Sequence, residues 1–435
     1  MSKEKTSPAV VIVGGGFGGL YAAKALGNRG VAVTLIDRRN FHLFQPLLYQ
    51  VATGGLSPGD IASPLRGVLG RYGNIRVLQE EVTGLDPENK KVLLESGEIV
   101  YDYLLLAAGT RHHYFGNDQW EKLAPGLKTV EDALEMRRRI FNAFEKAEAA
   151  ATGEEQKRLS TFVIVGGGPT GVELAGAMAE LAYGTLRRDF RNFDPTQTRI
   201  VLVEAGPRLL PPYAEKDSQK ARLTLEKKGV EVRTATAVKE VREGAVILTL
   251  PDKNEETIAA ETVLWGAGVV GTPLATTIAG ATGVETDRQH RLPVGGDLSL
   301  ANFPEIMVLG DMAHFEQDGQ ALPGVAQVAM QQGRYAARRI LAETRGETAK
   351  PFRYKNKGNM AVIGRNAAIA DLGFASLSGL PAWLIWVFVH IAYLIGYDNR
   401  ILVLVQWASN YFTRKRGARL ITLPGWSPGE EKSPG

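Results

Sequence analysis

The chain contains no cysteine, which excludes disulfides, thiolate-held iron–sulfur clusters, Cys-type zinc sites and every reaction that runs through a thiol. It also lacks a hydrophobic run that crosses a bilayer in comfort. The best stretch, Trp383 to Tyr397, has 15 residues, which rise only about 22 Å in a helix against a hydrocarbon core of about 30 Å. Histidine is scarce, at six. His42, His112, His113, His290 and His314 show no metal-ligand spacing, so no metal site is expected, and no Ser-His-Asp pattern stands in context. The first apolar run, Ala9 to Val13, starts a strand and leaves no room for a signal-peptide core, which points to the cytoplasmic side. There is no general excess of one charge either: Lys plus Arg is 51 and Asp plus Glu 47, and residues 351–435 hold 10 basic against 4 acidic groups. The basic pI is therefore a property of the C-terminal fifth. That argues against a nucleic-acid partner and for an anionic lipid surface near the tail.

What is present is a folded α/β chain. At 435 residues and 44% hydrophobic content it is long enough for two or three domains. Glycine, at 49, is roughly 11% of the chain against an average of about 7%, and much of it follows apolar runs directly. Ala9 to Val13 leads into Gly14-Gly15-Gly16-Phe17-Gly18-Gly19, then a helix-compatible segment, then a second strand ending at Asp37. The same grammar returns at Phe162 to Val165, Gly166-Gly167-Gly168-Pro169-Thr170-Gly171 and Ile200 to Glu204. Further strand-then-glycine signals, at Tyr101–Thr110 and Thr262–Val269, follow the two units in the same order and suggest a repeated domain plan.

Each G-x-G-x-x-G has a physical reading. The first glycine permits the strand-to-helix turn, the second lets a pyrophosphate approach the backbone, and the third lets helix and strand pack closely, while free amides and the helix dipole hold the anion. Asp37 lies 23 residues after Gly14, at the end of the second strand, where a carboxylate reaches ribose hydroxyls. In the second unit the acid is Glu204, 38 residues after Gly166, the excess being an insertion between helix and strand. A carboxylate there accepts from a 2′-hydroxyl and repels a 2′-phosphate, which favours NADH over NADPH; Arg208 is the nearby cation weighed against this. Two dinucleotide sites in one chain suggest a flavoprotein, with FAD on the first unit and the nicotinamide on the second. Without thiols, the branch of such reductases that relays electrons through a disulfide is excluded, sulfide:quinone reductases with it, so electrons leave the flavin directly.

Ala326-Gln327-Val328-Ala329-Met330-Gln331 places two glutamines one helical turn apart with alanine between them. Two readings stand: amide donors for a flat ring bearing carbonyls, or a helix packed through its alanines. With this segment, VVIVGGGFGGLYAAKAL, NFHLFQPLLYQVATGGLSPGDIASPLR, FVIVGGGPTGVELAGAMAEL, VLGDMA and HIAYLIGYDNRILVLVQWASNYFTRKRGARLI, the chain resembles the type II NADH:quinone oxidoreductases over nearly its whole length. The resemblance implies two Rossmann-like dinucleotide-binding domains, a discontinuous FAD domain (1–120 and 290–345) interrupted by an NADH domain (121–289), and a C-terminal membrane-associating helical region (346–435). It implies noncovalent FAD on Gly14, Gly16, Phe17, Gly18, Gly19, Asp37, Arg38, Val82, Ala108, Gly109, Thr110, Asp311, Ala326 and Gln327, with Gln45 to Gly54 lining the isoalloxazine. NADH is assigned to Gly166, Gly168, Pro169, Thr170, Gly171, Glu204 and Gly268.

The activity implied is respiratory: hydride from NADH to FAD, then two-electron reduction of a membrane quinone without proton pumping. A flavin reductase of a soluble acceptor is the alternative. Glu173, two residues past the third glycine of the second fingerprint, matches a family carboxylate near flavin and substrates, or is a helix N-terminal acid stabilised by the dipole. His390 is the only titratable residue from Trp383 to Tyr397 apart from the tyrosines, and either supplies a proton or sits at an interface. With Gln327 and Gln331, these are the expected catalytic residues. The C-terminal segment combines aromatic, apolar and basic residues, ending in Arg414, Lys415, Arg416 and Arg419, as an interfacial anchor does. A peripheral position on the cytoplasmic face of the cell membrane is expected, with a buried hairpin or a homodimer contact as the other reading.

Overall fold

The computed structural model describes residues 7–373 and 375–421. The end of the expected C-terminal region, 422–435, lies outside the described residues. By its own contacts the chain divides into two units: Met1–Phe44 with Ala62–His113 and Gly268–Lys357, and Gln45–Ile61 with Tyr114–Ala267 and Gly358–Gly435.

The first unit is built on a six-stranded sheet in the order Ser299–Leu300, Phe303–Val308, Tyr103–Leu106, Ala9–Val13, Ala32–Asp37, Ile75–Gln79. All neighbours are parallel except the first two strands. Ala9–Val13 is central because its apolar run leaves no polar face to solvate, and a strand covered on both sides needs none. Its register (Ile12 opposite Leu35 and Leu105) ends both flanking strands level with the glycine turn. Over the turn, the Phe17–Leu26 helix packs against the Ala326–Glu343 helix closely enough that a Cβ on Gly333 would sit 2.2 Å from the Gly18 carbonyl oxygen. Val11, Val13, Ile36, Leu104, Leu106, Ile306 and Val308 form the core on one face of the sheet.

The second unit repeats the plan with a four-stranded parallel sheet, Val230–Arg233, Arg199–Val203, Thr161–Val165, Thr262–Trp265. Beside it stands an antiparallel sheet of Ala237–Arg242, Ala245–Thr249 and Glu255–Ala259. A third sheet, Asn359–Gly364, Ala367–Asp371 and Ser376–Gly379, precedes the helices of the expected C-terminal region. Gly176 on the Pro169–Glu180 helix explains why this sheet belongs here: a Cβ would lie 2.1 Å from the Ile363 carbonyl oxygen. The division differs from the expected boundaries. Thr110–His112 pairs antiparallel with Val269–Gly271, which keeps both edges of the inserted segment in the first unit, while Gly358 onward joins the second.

Two helices close the described chain, Leu380–Tyr393 and Tyr397–Thr413. Among the described residues no helix is long and apolar enough to cross a membrane. Their amphipathicity is inverted. Gln406 and Asn410 turn inward with Val403, Asn410 donating to the Gly55 carbonyl at 3.3 Å, and Leu384, Phe388, Ile401, Leu404, Val405 and Phe412 are exposed, Phe388 at 74% and Phe412 at 81%. The basic cluster that follows is thinner than its sequence: the Arg416 guanidinium donates to the carbonyls of Thr53 at 2.9 Å and Ala177 at 3.1 Å, Arg419 pairs with Asp189, and Arg414 and Lys415 are left on the surface.

Candidate functional site

In the first unit the glycines do what the fingerprint demands. Gly14 adopts a φ of +102°, where an L side chain is strained, and a Cβ on Gly19 would lie 1.8 Å from the Gly14 carbonyl oxygen. Around Gly16, by contrast, a Cβ would meet nothing within 4 Å, so there is room for a phosphate. Gly16 caps the helix without any side-chain hydrogen bond. Asp37 accepts from the amides of Gly15 at 2.6 Å and Arg39 at 2.7 Å. Burial pushes its carboxyl up from the ordinary value, while those two amides and the Arg39 and Arg38 charges pull the other way. Each oxygen keeps a second lone pair for a ribose hydroxyl.

Thr110 donates to the Asp311 carboxylate at 3.4 Å. The Gly310 turn that presents Asp311 is held by a residue the sequence reading passed over: the buried Gln332 accepts from the Gly310 amide at 2.6 Å. His42, which the sequence marks only as lacking metal-ligand spacing, packs against the fingerprint turn. Its Nδ1 bonds the Gly15 carbonyl at 2.9 Å, its ring stands edge-on to Phe17 at 4.9 Å, and its Nε2 is buried without a partner. Burial lowers its pKa to about 4, so the ring is neutral, with Nδ1 the donor and Nε2 an unused acceptor. The open space at Gly16, the carboxylate of Asp37 and this orphaned nitrogen fit a dinucleotide such as FAD. Arg38 is exposed, Val82 opens an edge strand, Ala108 and Gly109 follow the Tyr103–Leu106 strand, and Ala326 and Gln327 begin their helix, all within this unit.

The two glutamines are engaged with the backbone. Gln331 donates to the Lys355 carbonyl at 2.9 Å and accepts from the Lys355 amide at 3.0 Å, while Gln327 accepts from the Lys357 amide at 3.2 Å. The helix therefore clasps the 355–357 segment through both side chains.

The second unit mirrors the first. Gly166 has φ +107°, a Cβ on Gly171 would lie 1.8 Å from the Gly166 carbonyl oxygen, and Gly168 has open space. Pro169 opens the helix, where its missing N–H costs nothing, followed by Thr170. Glu204 accepts from the amides of Gly167 at 2.5 Å and Gly206 at 2.6 Å, reproducing the Asp37 arrangement. Arg208 is committed to the carbonyls of Pro211 and Tyr213, both at 2.7 Å. The cation that could have answered a 2′-phosphate is thus occupied. Gly268 falls in the first unit, at the foot of the Val269–Gly271 strand.

Glu173 lies on the Pro169–Glu180 helix and accepts from the Val362 amide at 3.4 Å. Although the residue retains some surface, its carboxyl group is desolvated, which pushes its pKa up to about 8. Tyr49, buried in the same unit, is raised well above the usual phenol range by burial and by the Glu173 charge. Trp407 Nε1 donates to Gln50 at 2.7 Å, and Gln50 donates to the Tyr49 hydroxyl at 2.9 Å. A connected polar path therefore runs from the last helix to the phenol that senses Glu173. Tyr49 and Gln50 fall in the segment expected to line the flavin, but nothing in the spacing marked Trp407. His390 donates to the Trp386 carbonyl at 2.8 Å and stacks on Trp386 at 4.2 Å; burial lowers its pKa to about 4. A neutral imidazole so placed has no imidazolium proton to give. Among the described residues no cluster could hold a metal ion.

Residues 8–333 match the pyridine nucleotide-disulphide oxidoreductase family and residues 356–416 the NDH2 C-terminal domain. The class is that of reductases built on two dinucleotide-binding folds. A type II NADH:quinone oxidoreductase of Mycobacterium tuberculosis is 43% identical over 420 residues, covering 95% of this chain and 90% of its own length. A second from the same organism is 44% identical over 422 residues, with 95% and 89% covered. The chain belongs to the type II NADH:quinone oxidoreductase family. Among solved structures, NDH2 from Plasmodium falciparum in complex with NADH matches with a TM-score of 0.86 at 21% identity, covering 94% of this chain and 99% of that one. The sulfide:quinone oxidoreductase of Aquifex aeolicus matches at 0.73 with 18% identity, covering 94% and 96%. At those identities they show the fold.

Proposed function

We propose that this protein oxidises NADH and reduces a membrane quinone to quinol through noncovalent FAD, without pumping protons. The observation that carries the reading is the paired cradle: two glycine turns, each with an open second glycine and a carboxylate pinned by two backbone amides, on a chain without thiols. FAD, when bound, supplies hydride acceptance from NADH and two-electron delivery to the acceptor. The chain's residues supply binding, orientation and protons. We assign FAD to the first unit, through Gly14, Gly16, Gly19, Asp37 and Asp311, and NADH to the second, through Gly166, Gly168, Gly171 and Glu204. Glu173, protonated at neutral pH, is the better proton donor of the two residues expected to serve; His390 is an orienting neighbour of Trp386. Gln327 and Gln331 shape the acceptor side by fixing the 355–357 backbone.

The membrane assignment rests on the inverted helices: an apolar face kept outward is stabilised by transfer into lipid. We assign it to the cytoplasmic face, where Arg414 and Lys415 would meet anionic headgroups. A homodimer seated on that face is the competing occupant, and sedimentation of the lipid-free protein decides between them. Anaerobic stopped-flow tests the activity: NADH should bleach the flavin absorbance rapidly, and a quinone should restore it. Bleaching that quinone does not reverse would leave a reductase of some soluble acceptor, and absent bleaching would refute the assignment altogether.

A further inference from the structure

The first unit carries a second concavity, of about 820 Å³, away from the glycine turn. Arg334 and Arg338 rise into it from the Ala326–Glu343 helix, joined by Arg345 just beyond that helix's end and by Arg29 from the loop after the fingerprint helix. The segment that follows adds Lys350, Arg353, Lys355 and Lys357. All eight side chains are exposed, and among the described residues lining the cavity none is acidic. Two of the eight have carboxylate partners at the rim, Arg345 with Glu347 at 2.9 Å and Arg353 with Asp318 at 3.2 Å. Arg334 lies over the Tyr21 ring at 4.8 Å, which orients it without neutralising it. The floor is apolar: Phe352 and Tyr335 are buried edge-to-face at 5.4 Å, beside Ala342 and Leu341.

The placement is uneven for this chain. Residues 1–350 carry slightly more acidic than basic groups, yet here eight cationic side chains share one concave wall, and like charges within a Debye length of about 8 Å at physiological salt repel one another. A bound anion relieves that repulsion, and planar guanidinium groups match phosphate oxygens in particular. We propose that this cavity is a binding site for a phosphate-bearing anion, distinct from both dinucleotide cradles. An anionic phospholipid headgroup and a soluble polyphosphate share that chemistry. The site also borders the proposed acceptor side, since Lys355 and Lys357 belong to the segment that Gln331 and Gln327 clasp.

The test uses the FAD-loaded full chain and the double variant Arg334→Gln/Arg338→Gln, whose two side chains are exposed and outside the dinucleotide sites. Flavin content and the KM for NADH should be unchanged, which establishes folding and leaves the second cradle intact. Calorimetry with inorganic tripolyphosphate and flotation with phosphatidylglycerol vesicles form the two arms, both at physiological salt. The proposal expects the variant to bind at least tenfold more weakly in one arm or both. Weakening with vesicles identifies a lipid headgroup, and weakening with tripolyphosphate alone identifies a soluble ligand. Equal binding by wild type and variant in both arms overturns the site, whatever the outcome of the NADH and quinone half-reactions.

Discussion

At Gly171 there is no room for even one methyl group, because the Gly166 carbonyl oxygen would lie 1.8 Å from its Cβ. Gly171→Ala must therefore open the turn proposed to hold the nicotinamide pyrophosphate through its amides. It is expected to raise the KM for NADH at least tenfold with FAD content unchanged, as measured by steady-state kinetics and flavin absorbance, since Gly14, Gly16 and Gly19 are untouched. Glu173 makes a different kind of prediction. Its carboxyl is raised from 4.5 to about 8 by burial, so the folded protein holds a proton that the unfolded chain releases above pH 4.5. The stability tied to that proton is present at acid pH and declines as pH rises towards 8, beyond which nothing more is lost. Glu173→Gln mimics the neutral form at every pH. The melting temperature of the variant should gain on wild type steadily from pH 5 to pH 8, and a difference that stays flat over that range would show that Glu173 is already ionised.

At the scale of elements, the Tyr397–Thr413 helix shows how far the sequence could be read. Its polar stripe at Gln406, Ser409, Asn410 and Thr413 was legible from spacing, as were the two strand–glycine–helix units, because these follow from local sterics and periodicity. Which way the stripe faces was not. Direction depends on partners hundreds of residues away: Gln50 for Trp407, Gly55 for Asn410, and Thr53 and Ala177 for Arg416, which had read as part of a surface cluster. The same limit hid the Lys355 partner of Gln331 and the Gln332 bond to Gly310. With Gln406 and Asn410 inward and Ser409 and Thr413 left exposed, the apolar outward face invites a direct measurement. Burying a phenylalanine side chain stabilises by about 1.5–3 kcal/mol, so Phe388→Ser and Phe412→Ser should each weaken binding to uncharged phosphatidylcholine vesicles by about tenfold or more. NADH oxidation with a water-soluble acceptor should be unaffected. Unchanged vesicle binding in both variants would assign the face to a protein partner.

For the whole molecule, the missing cysteine becomes a statement about electron capacity. The chain shares its fold with pyridine nucleotide-disulphide oxidoreductases over residues 8–333, yet no thiol pair can store electrons beside the flavin, and among the described residues no cluster could hold a metal ion that might do so instead. A chain in which a disulfide joins FAD takes up two reducing pairs before it is fully reduced. This one has a place for a single pair, at the flavin. Anaerobic titration with dithionite should therefore reach its endpoint at one two-electron equivalent per bound FAD, and titration with NADH should require no more than that once the reoxidation of the flavin is prevented. Because the pair cannot be parked elsewhere, NADH oxidation and acceptor reduction must alternate on one flavin. Initial-rate plots against NADH at several quinone concentrations should accordingly be parallel wherever NAD⁺ leaves before quinone is reduced. An endpoint near two equivalents would demand a second redox centre that this sequence has no thiol to build, and would overturn direct transfer from flavin to quinone.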